Sequence, residues 1–320
     1  MVPPPSLHAQ PAAAPQWTAF HRLARLRPDY RWWRPVLTLL CAAGIYCVLV
    51  LASVVFLFIL GFFVPAVATT VDNAVSADTD LRDPGQLAFL LGAVCLLWPA
   101  AALGVRWGGR RSAGTLSSVT GRLRWQLFPR LLAAAAGLVL AGSAVTLLLP
   151  AEPSGESTGS GATGGWWLML LVVVAVVPFQ AAAEEYAFRG LLMQVIGSWL
   201  RHPAFAILLP VPFFVLGHGY GLVGQIDVAV FAVAAGWLTW HTGGLEAAIA
   251  LHVVNNLVVL ALGAVGLADP NAVDLPLAHL PVSMGVVLAY VLLAVRWFPR
   301  SGTLQRPAPS GTAAADGPAG

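Results

Sequence analysis

The sequence predicts an all-α fold: a polytopic bundle of about eight transmembrane helices with a polar site inside the membrane. Three observations predict it. Charged residues are only 10% of the 320-residue chain, against roughly 25% in soluble domains. The apolar set is 58% of the chain, and mean hydropathy is +0.78. The few charges fall between long uncharged tracts rather than across them. So little charge cannot cover a water-facing surface, which excludes an ordinary soluble domain, an acidic disordered chain and a nucleic-acid module. The three cysteines, Cys41, Cys47 and Cys95, lie in apolar tracts and read as small core residues, not as disulfide staples.

Taken in order, residues 1–34 form a cytoplasmic N-terminal segment, rich in Pro and Ala and disordered over 1–16. Residues 36–71 carry no charge and exceed the roughly 20 residues a membrane helix needs. They are too long for a signal-peptide core and read as a retained anchor, with Pro65 marking the exit to the outer loop. Two more spans, 87–105 and 131–149, complete an N-terminal unit over 35–150. Between them, Leu116, Val119, Leu123 and Leu127 punctuate a basic stretch. It is either a short amphipathic helix on the cytoplasmic surface or a plain loop. Residues 151–165 are a Gly/Ser/Thr loop. The second unit, 166–267, contains spans 166–183, 203–223, 228–240 and 247–267; the third of these is short and the least secure. A last span, 280–295, lies within 280–300, and 301–320 read as a disordered tail.

Charge orients the bundle. All 17 basic residues are Arg, so the pI near 9.0 reads as topology, not nucleic-acid binding. Eight crossings with both termini cytoplasmic place every Arg except Arg82 inside. The other loops are acidic, carrying Asp72, Asp78, Asp80, Asp83, Glu152, Glu156, Asp269 and Asp274. The Arg-only, Ala-rich composition points to a bacterial plasma membrane. Partners are then the lipid bilayer and a peptide or membrane-protein substrate, lipidated or not; nucleic acid is excluded.

An ionisable group inside a membrane tract costs at least about 2.5 kcal/mol, so the exceptions mark the site. They are Glu184, Glu185 and Arg189 on the fourth span, His218 on the fifth, and His252, Asn255 and Asn256 on the seventh. Glu185 and Arg189 are i and i+4 and can pair as a structural charge pair. Glu184 is turned by about 100° from Glu185 and faces elsewhere. His252 and Asn256 share a face; Asn255 points off it and is assigned no role. His241, Glu246 and His279 lie near loop ends and read as solvated. Burial strengthens a carboxylate's hold on a proton, so a buried glutamate can take one from water. Imidazole and carboxamide can hold a metal or steady an oxyanion. Two His and one Glu form a known zinc ligand set, which makes His218, His252 and Glu184 the metal candidates and zinc the first choice of cofactor. Asn256 suits an orienting or oxyanion role. Depth sets one condition. If Arg189 marked the membrane edge, Glu184 would lie about 7 Å inside it and His218 about 25 Å from it. Span four must therefore run past Arg189 towards Trp199, or span five must tilt or break.

Glu184-Glu185-Tyr186-Ala187-Phe188-Arg189 reads EExxxR, Phe214 to His218 reads FxxxH, and His252 to Asn256 reads HxxxN. In this order on successive spans they resemble the CAAX prenyl endopeptidase and bacteriocin-processing family of intramembrane proteases (CPBP or Abi). Gly190 and the run Thr242-Gly243-Gly244-Leu245 fit the same pattern. The resemblance covers about 166–262. It implies an intramembrane endopeptidase in which Glu184 and Glu185, with His218, activate water, Glu184 being the preferred base. His252 and Asn256 then hold the oxyanion or help bind a metal. The resemblance leaves open metal-bound and glutamate-activated water. The rival readings are a non-proteolytic membrane scaffold or immunity protein of the same fold, and a proton-coupled transporter; no inverted repeat supports the latter.

Overall fold

In the computed structural model the described residues are 16–76, 79–149, 165–300 and 303–305. They form a helical bundle, and seven helices are long and apolar enough to cross a membrane. The first tract is two helices, α1 (Arg34–Phe63) and α2 (Pro65–Ala74). Pro65 does not lead into a loop; it sits at the first position of α2, where its missing N–H costs nothing. The second span is α3 (Pro84–Cys95) continued by α4 (Leu97–Trp107), and the third contains α5 (Phe128–Leu148). The fourth runs unbroken from Trp166 to Trp199. It comprises α6 (Trp166–Glu185), a π-helical stretch Tyr186–Leu192 and α7 (Met193–Trp199). The span thus continues past Arg189, one of the two ways of meeting the depth condition.

The fifth segment is the broken one. It is two six-residue helices, α8 (Pro203–Leu208) and α9 (Val211–Leu216). Pro210 and Pro212, then Gly217, Gly219 and Gly221, deny a continuous helix. The segment expected to be short belongs instead to a full helix, α10 (Leu222–Thr242). Then come α11 (Glu246–Ala264) and α12 (His279–Trp297).

The chain still makes eight traversals. At one end of the bundle Arg22 donates to Gly197 O (2.8 Å), Trp199 Nε1 to Trp32 O (2.7 Å), and Arg124 pairs with Glu246. At the other, Arg82 pairs with Asp269, Leu81 N–H donates to Asn271, and Gly221 N–H to Val273 O. The fifth segment leaves the first end after Arg201 and reaches the second at Gly221. Of the described arginines, Arg82 lies at the second end, Arg189 lies mid-bundle, and the rest gather at the first. There Gln16–Thr18 also pairs antiparallel with Thr303–Gln305. The rest of the 1–16 and 301–320 segments, and nearly all of the 151–165 loop, lie outside the described residues.

Helix α6 is central, packed on α3 and α11, while α11 also packs on α5. Close approach needs small residues: a Cβ on Gly104 of α4 would stand 2.6 Å from the Ala42 side chain of α1. Large apolar side chains, among them Leu51, Phe56, Phe58 and Phe62 of α1, remain exposed around the bundle, the pattern of a lipid-facing surface. Cys47 belongs to that surface, and Cys41 and Cys95 are half-buried, so the cysteines are not core residues as expected.

The basic stretch after α4 is neither a surface helix nor a plain surface loop. It contains two short 3-10 turns, Ala113–Leu116 and Trp125–Leu127. Its middle folds into the bundle, burying Leu116, Ser117 and Ser118. Val119 N–H donates to Gly243 O at 2.8 Å, where Gly243 ends α10 at φ 71°, the left-handed conformation glycine adopts without strain. Arg124 clasps Glu246 with two guanidinium bonds of 2.9 and 2.7 Å and its own backbone N–H at 2.8 Å. Glu246 is therefore fully buried and ion-paired, not solvated. The loop recruits it, and nothing local to Glu246 announces that.

Candidate active site

The fourth span delivers two adjacent carboxylates to the middle of the bundle, where α6 loosens into its π-helical turn. Such turns widen the helix and often sit at functional positions. Glu185 is fully buried and Arg189 nearly so. Arg189 Nη1 donates to Glu185 Oε1 at 2.9 Å, and Nη2 to Ala232 O of α10 at 3.3 Å. The guanidinium lies 4.2 Å from the centroid of Phe214 and 5.8 Å from that of Phe231. Two aromatic faces and one carboxylate thus compensate a cation removed from water.

His252, on α11, stands between the two glutamates. Its Nδ1 is 2.8 Å from Glu185 Oε1 and its Nε2 is 3.3 Å from Glu184 Oε2. Glu185, already engaged by Arg189, can only accept, so Nδ1 carries the hydrogen. The ring is fixed edge-on to Phe231 (4.9 Å) and Phe214 (6.1 Å). Glu184 is the more open of the two acids, its side chain 12% exposed against 0% for Glu185. Its Oε2 is buried and touches His252 without the alignment of a hydrogen bond. One turn further along both helices lies a second rung. Asn256 Nδ2 donates to Gln180 Oε1 at 3.3 Å, and Asn255 Nδ2 to Asn256 Oδ1 at 3.3 Å.

His218 is placed apart. It follows the broken fifth pass, between Gly217 and Gly219, and its Nδ1 lies 2.8 Å from Phe214 O. A carbonyl only accepts, so Nδ1 donates and Nε2 keeps its lone pair. The buried Phe214 ring separates it from the glutamate cluster, 4.8 Å from His218 and 6.1 Å from His252. Among the described residues, no hydrogen bond or ion pair joins His218 to Glu184, Glu185, His252 or Asn256.

The metal candidates do not converge as placed. Both ring nitrogens of His252 face carboxylates, His218 stands across Phe214, and among the described residues no three His, Cys, Asp or Glu side chains stand close enough to hold an ion.

The structure thus joins Glu184, Glu185, Arg189 and His252 directly, with Asn256 one turn away. Sequence reasoning missed Gln180, Phe231 and the buried Arg124–Glu246 clasp. Gln180 did leave a signal: a single amide inside the run from Trp166 to Ala183, one turn before Glu184. Phe231 left none, because a phenylalanine in a membrane helix is unremarked.

Residues 164–258 match the family described as Type II CAAX prenyl endopeptidase Rce1-like. The match takes in all three motifs and bears out the resemblance to the CPBP/CAAX protease family. An uncharacterized protein of Bacillus subtilis (strain 168), YyaK, is 25% identical over 236 residues, 70% of this chain and 76% of its own. No solved structure matches. With seven apolar helices of spanning length, the family match makes this an integral membrane protein.

Proposed function

We propose that the protein is an intramembrane endopeptidase that hydrolyses a peptide bond near one membrane surface, with Glu184 as the base that activates water. The observation carrying this reading is the division of labour between the glutamates. Glu185 is bound on one oxygen by Arg189 and His252, so it holds its neighbours in place. Glu184 is not held by Arg189; its side chain is 12% exposed against 0% for Glu185, and its Oε2 meets His252 Nε2 at 3.3 Å without a hydrogen bond.

The steps follow. Water between Glu184 and the scissile carbonyl gives its proton to Glu184 as its oxygen attacks the carbonyl carbon. Charge develops on the carbonyl oxygen, and Asn256 donates its N–H to it. Glu184 passes the proton, directly or through His252 Nε2, to the departing amide nitrogen as the C–N bond breaks. The products are a carboxylic acid and an amine, and the acid's proton passes to the amine to leave a carboxylate and an ammonium. His218 stands across Phe214; a shift of its glycine-flanked turn brings its Nε2 to the attacking water, from which it accepts a hydrogen bond. The apolar shell of Phe214 and Phe231 restricts bulk water, which strengthens each of these interactions.

His252 lies six residues from the start of α11, about 9 Å beneath the arginine-rich end. The positive-inside rule makes that end cytoplasmic, so a substrate presents its peptide from the cytoplasm. The family match points to C-terminal segments, prenylated or not, as the first peptides to try. The test is cleavage of such a panel by the purified full chain in detergent, wild type against Glu184→Gln, followed by mass spectrometry. Cleavage lost in the variant at unchanged melting temperature supports the reading. Equal cleavage by both removes Glu184 from the mechanism, and no cleavage by well-folded wild type shifts the weight to a non-proteolytic scaffold.

A further inference from the structure

Asn256 can serve an oxyanion only if its NH2, and not its oxygen, faces the cleft between α6 and α11. A carboxamide has nearly the same shape either way round, so something beyond packing must choose. Two neighbours make that choice. Gln180, 5% exposed, presents Oε1 to Asn256 Nδ2 at 3.3 Å. Behind, Asn255 Nδ2 donates to Asn256 Oδ1 at 3.3 Å. With Gln180 and Asn255 as they stand, both bonds are made in one orientation of Asn256 and neither in the other, so the three amides can reverse only together. The flipped amide would set oxygen against oxygen and NH2 against NH2, and a buried polar group without a partner costs about 1–3 kcal/mol.

We propose that Gln180 and Asn255 are positioning residues that lock the Asn256 carboxamide with its NH2 towards the site. One of its two N–H bonds is spent on Gln180 and the other remains for the oxyanion. This inference rests on the peptidase reading above, and it gives Asn255 a task that its direction off the His252 face did not suggest. Helical spacing supports it from the other side: Gln180 is four residues before Glu184 and Asn256 four after His252. The amide rung therefore lies directly along both helices from the carboxylate–imidazole rung. A substrate carbonyl beside Glu184 reaches Asn256 only if the amide already points there.

The test uses the full chain in detergent and whichever farnesylated or unprenylated C-terminal peptide of the panel wild type cleaves fastest. Gln180→Met keeps the shape and removes the acceptor. Gln180→Glu keeps an acceptor oxygen. Asn255→Ser keeps a donor, and Asn255→Asp replaces it with an acceptor. Losing one oxyanion donor lowers kcat by about 10²–10³-fold. A misoriented one should cost part of that, about 10–50-fold for Gln180→Met and Asn255→Asp, with KM changed less than about 3-fold. Gln180→Glu and Asn255→Ser should stay within about 5-fold of wild type. In an Asn256→Ala background, Gln180→Met should lower kcat by less than about 2-fold, because the group it positions is gone. Multiplicative losses in that double variant, or equal losses for both substitutions at position 180, overturn the inference and leave the peptidase reading standing. No cleavage by folded wild type overturns both.

Discussion

Arg189 is the residue whose loss separates structure from chemistry most sharply. Arg189→Met keeps the length of the side chain and removes its charge. It deletes the 2.9 Å bond to Glu185 Oε1, the 3.3 Å bond to Ala232 O and the stacking 4.2 Å from Phe214. Glu185, with no exposed surface, is left as a buried carboxylate with only His252 beside it. Removing one partner of a buried pair costs about 3–5 kcal/mol. At about 2 °C per kcal/mol for a chain of this size, the apparent melting temperature should fall about 6–10 °C. Glu185→Gln should fall similarly, since it strands the arginine instead. The double variant Arg189→Met/Glu185→Gln removes both charges and should recover at least half of the loss. Glu184→Gln, which breaks no ion pair with Arg189, should stay within about 2 °C of wild type. Intrinsic fluorescence of the 12 tryptophans in one detergent at one scan rate reads all four proteins. If Glu184→Gln melts as low as Arg189→Met, or the double variant melts no higher than the singles, the division of labour between the two glutamates is wrong.

Three further outcomes follow from the geometry. Peptide cleavage should survive 1,10-phenanthroline and EDTA within about 2-fold, since His218 stands across Phe214 from His252 and Glu184; a loss reversed by added zinc would show that the histidines and Glu184 converge when substrate binds. Glu246→Ala should leave Arg124 without its clasp and free residues 112–124 from the bundle, seen as faster hydrogen exchange there at a cost of about 2–4 kcal/mol, whereas unchanged exchange would show that Ser118 and Val119 hold the loop alone. His21 docks the N-terminal turn onto α7, its Nε2 3.1 Å from Arg201 O while its Nδ1 is buried and unpartnered. Burial, with Arg22, Arg300 and His202 nearby, holds the proton affinity of that ring below the usual 6.5. The neutral ring is therefore the docked form: its contribution is complete above about pH 6.5 and is lost as pH falls towards the depressed value. Trypsin should cut after Arg22 or Arg25 faster at pH 5.5 than at 7.5 in wild type, after correction for the protease's own pH profile, and His21→Phe should flatten that difference.

Much of the bundle was legible because membrane physics is severe. Lipid forces uncharged runs of spanning length, and its sidedness sorts arginine, so the number of passes and the common end of both chain termini could be read directly. Depth offered two ways for Glu184 and His218 to approach, a fourth span running on to Trp199 or a broken fifth span, and the structure has both, yet Phe214 still stands between the two residues. Hydropathy failed where it is blind to backbone. Residues 203–223 are as apolar as a helix, but Pro210, Pro212 and three glycines break them, while 228–240 looked short because Asp227 interrupted an otherwise continuous helix. Asp227 keeps its place in α10 because Ser283 of α12 donates to it at 2.5 Å, a partner 56 residues away that no local window contains. Glu246 was misread for the same reason: its partner Arg124 lies 122 residues earlier.

The site shows why its motifs have their spacing. EExxxR needs adjacent acids so that one can be spent: the 100° turn between neighbours sends Glu185 to Arg189 and Glu184 towards His252 Nε2. In the proposed mechanism a single glutamate could not both neutralise a buried arginine and take a proton from water. HxxxN needs four residues so that the imidazole and the amide meet the two rungs that Glu184 and Gln180 form one turn apart. FxxxH needs the aromatic ring as much as the histidine, because Phe214 covers the Arg189 guanidinium on one side and carries His218 on its own carbonyl. The break in the fifth pass, which hides it from hydropathy, is what lets one short helix put Phe214 against the charge pair and still release His218 at a glycine-flanked turn. A continuous helix would fix that histidine on the Phe214 face and deny it the approach that the proposed mechanism needs.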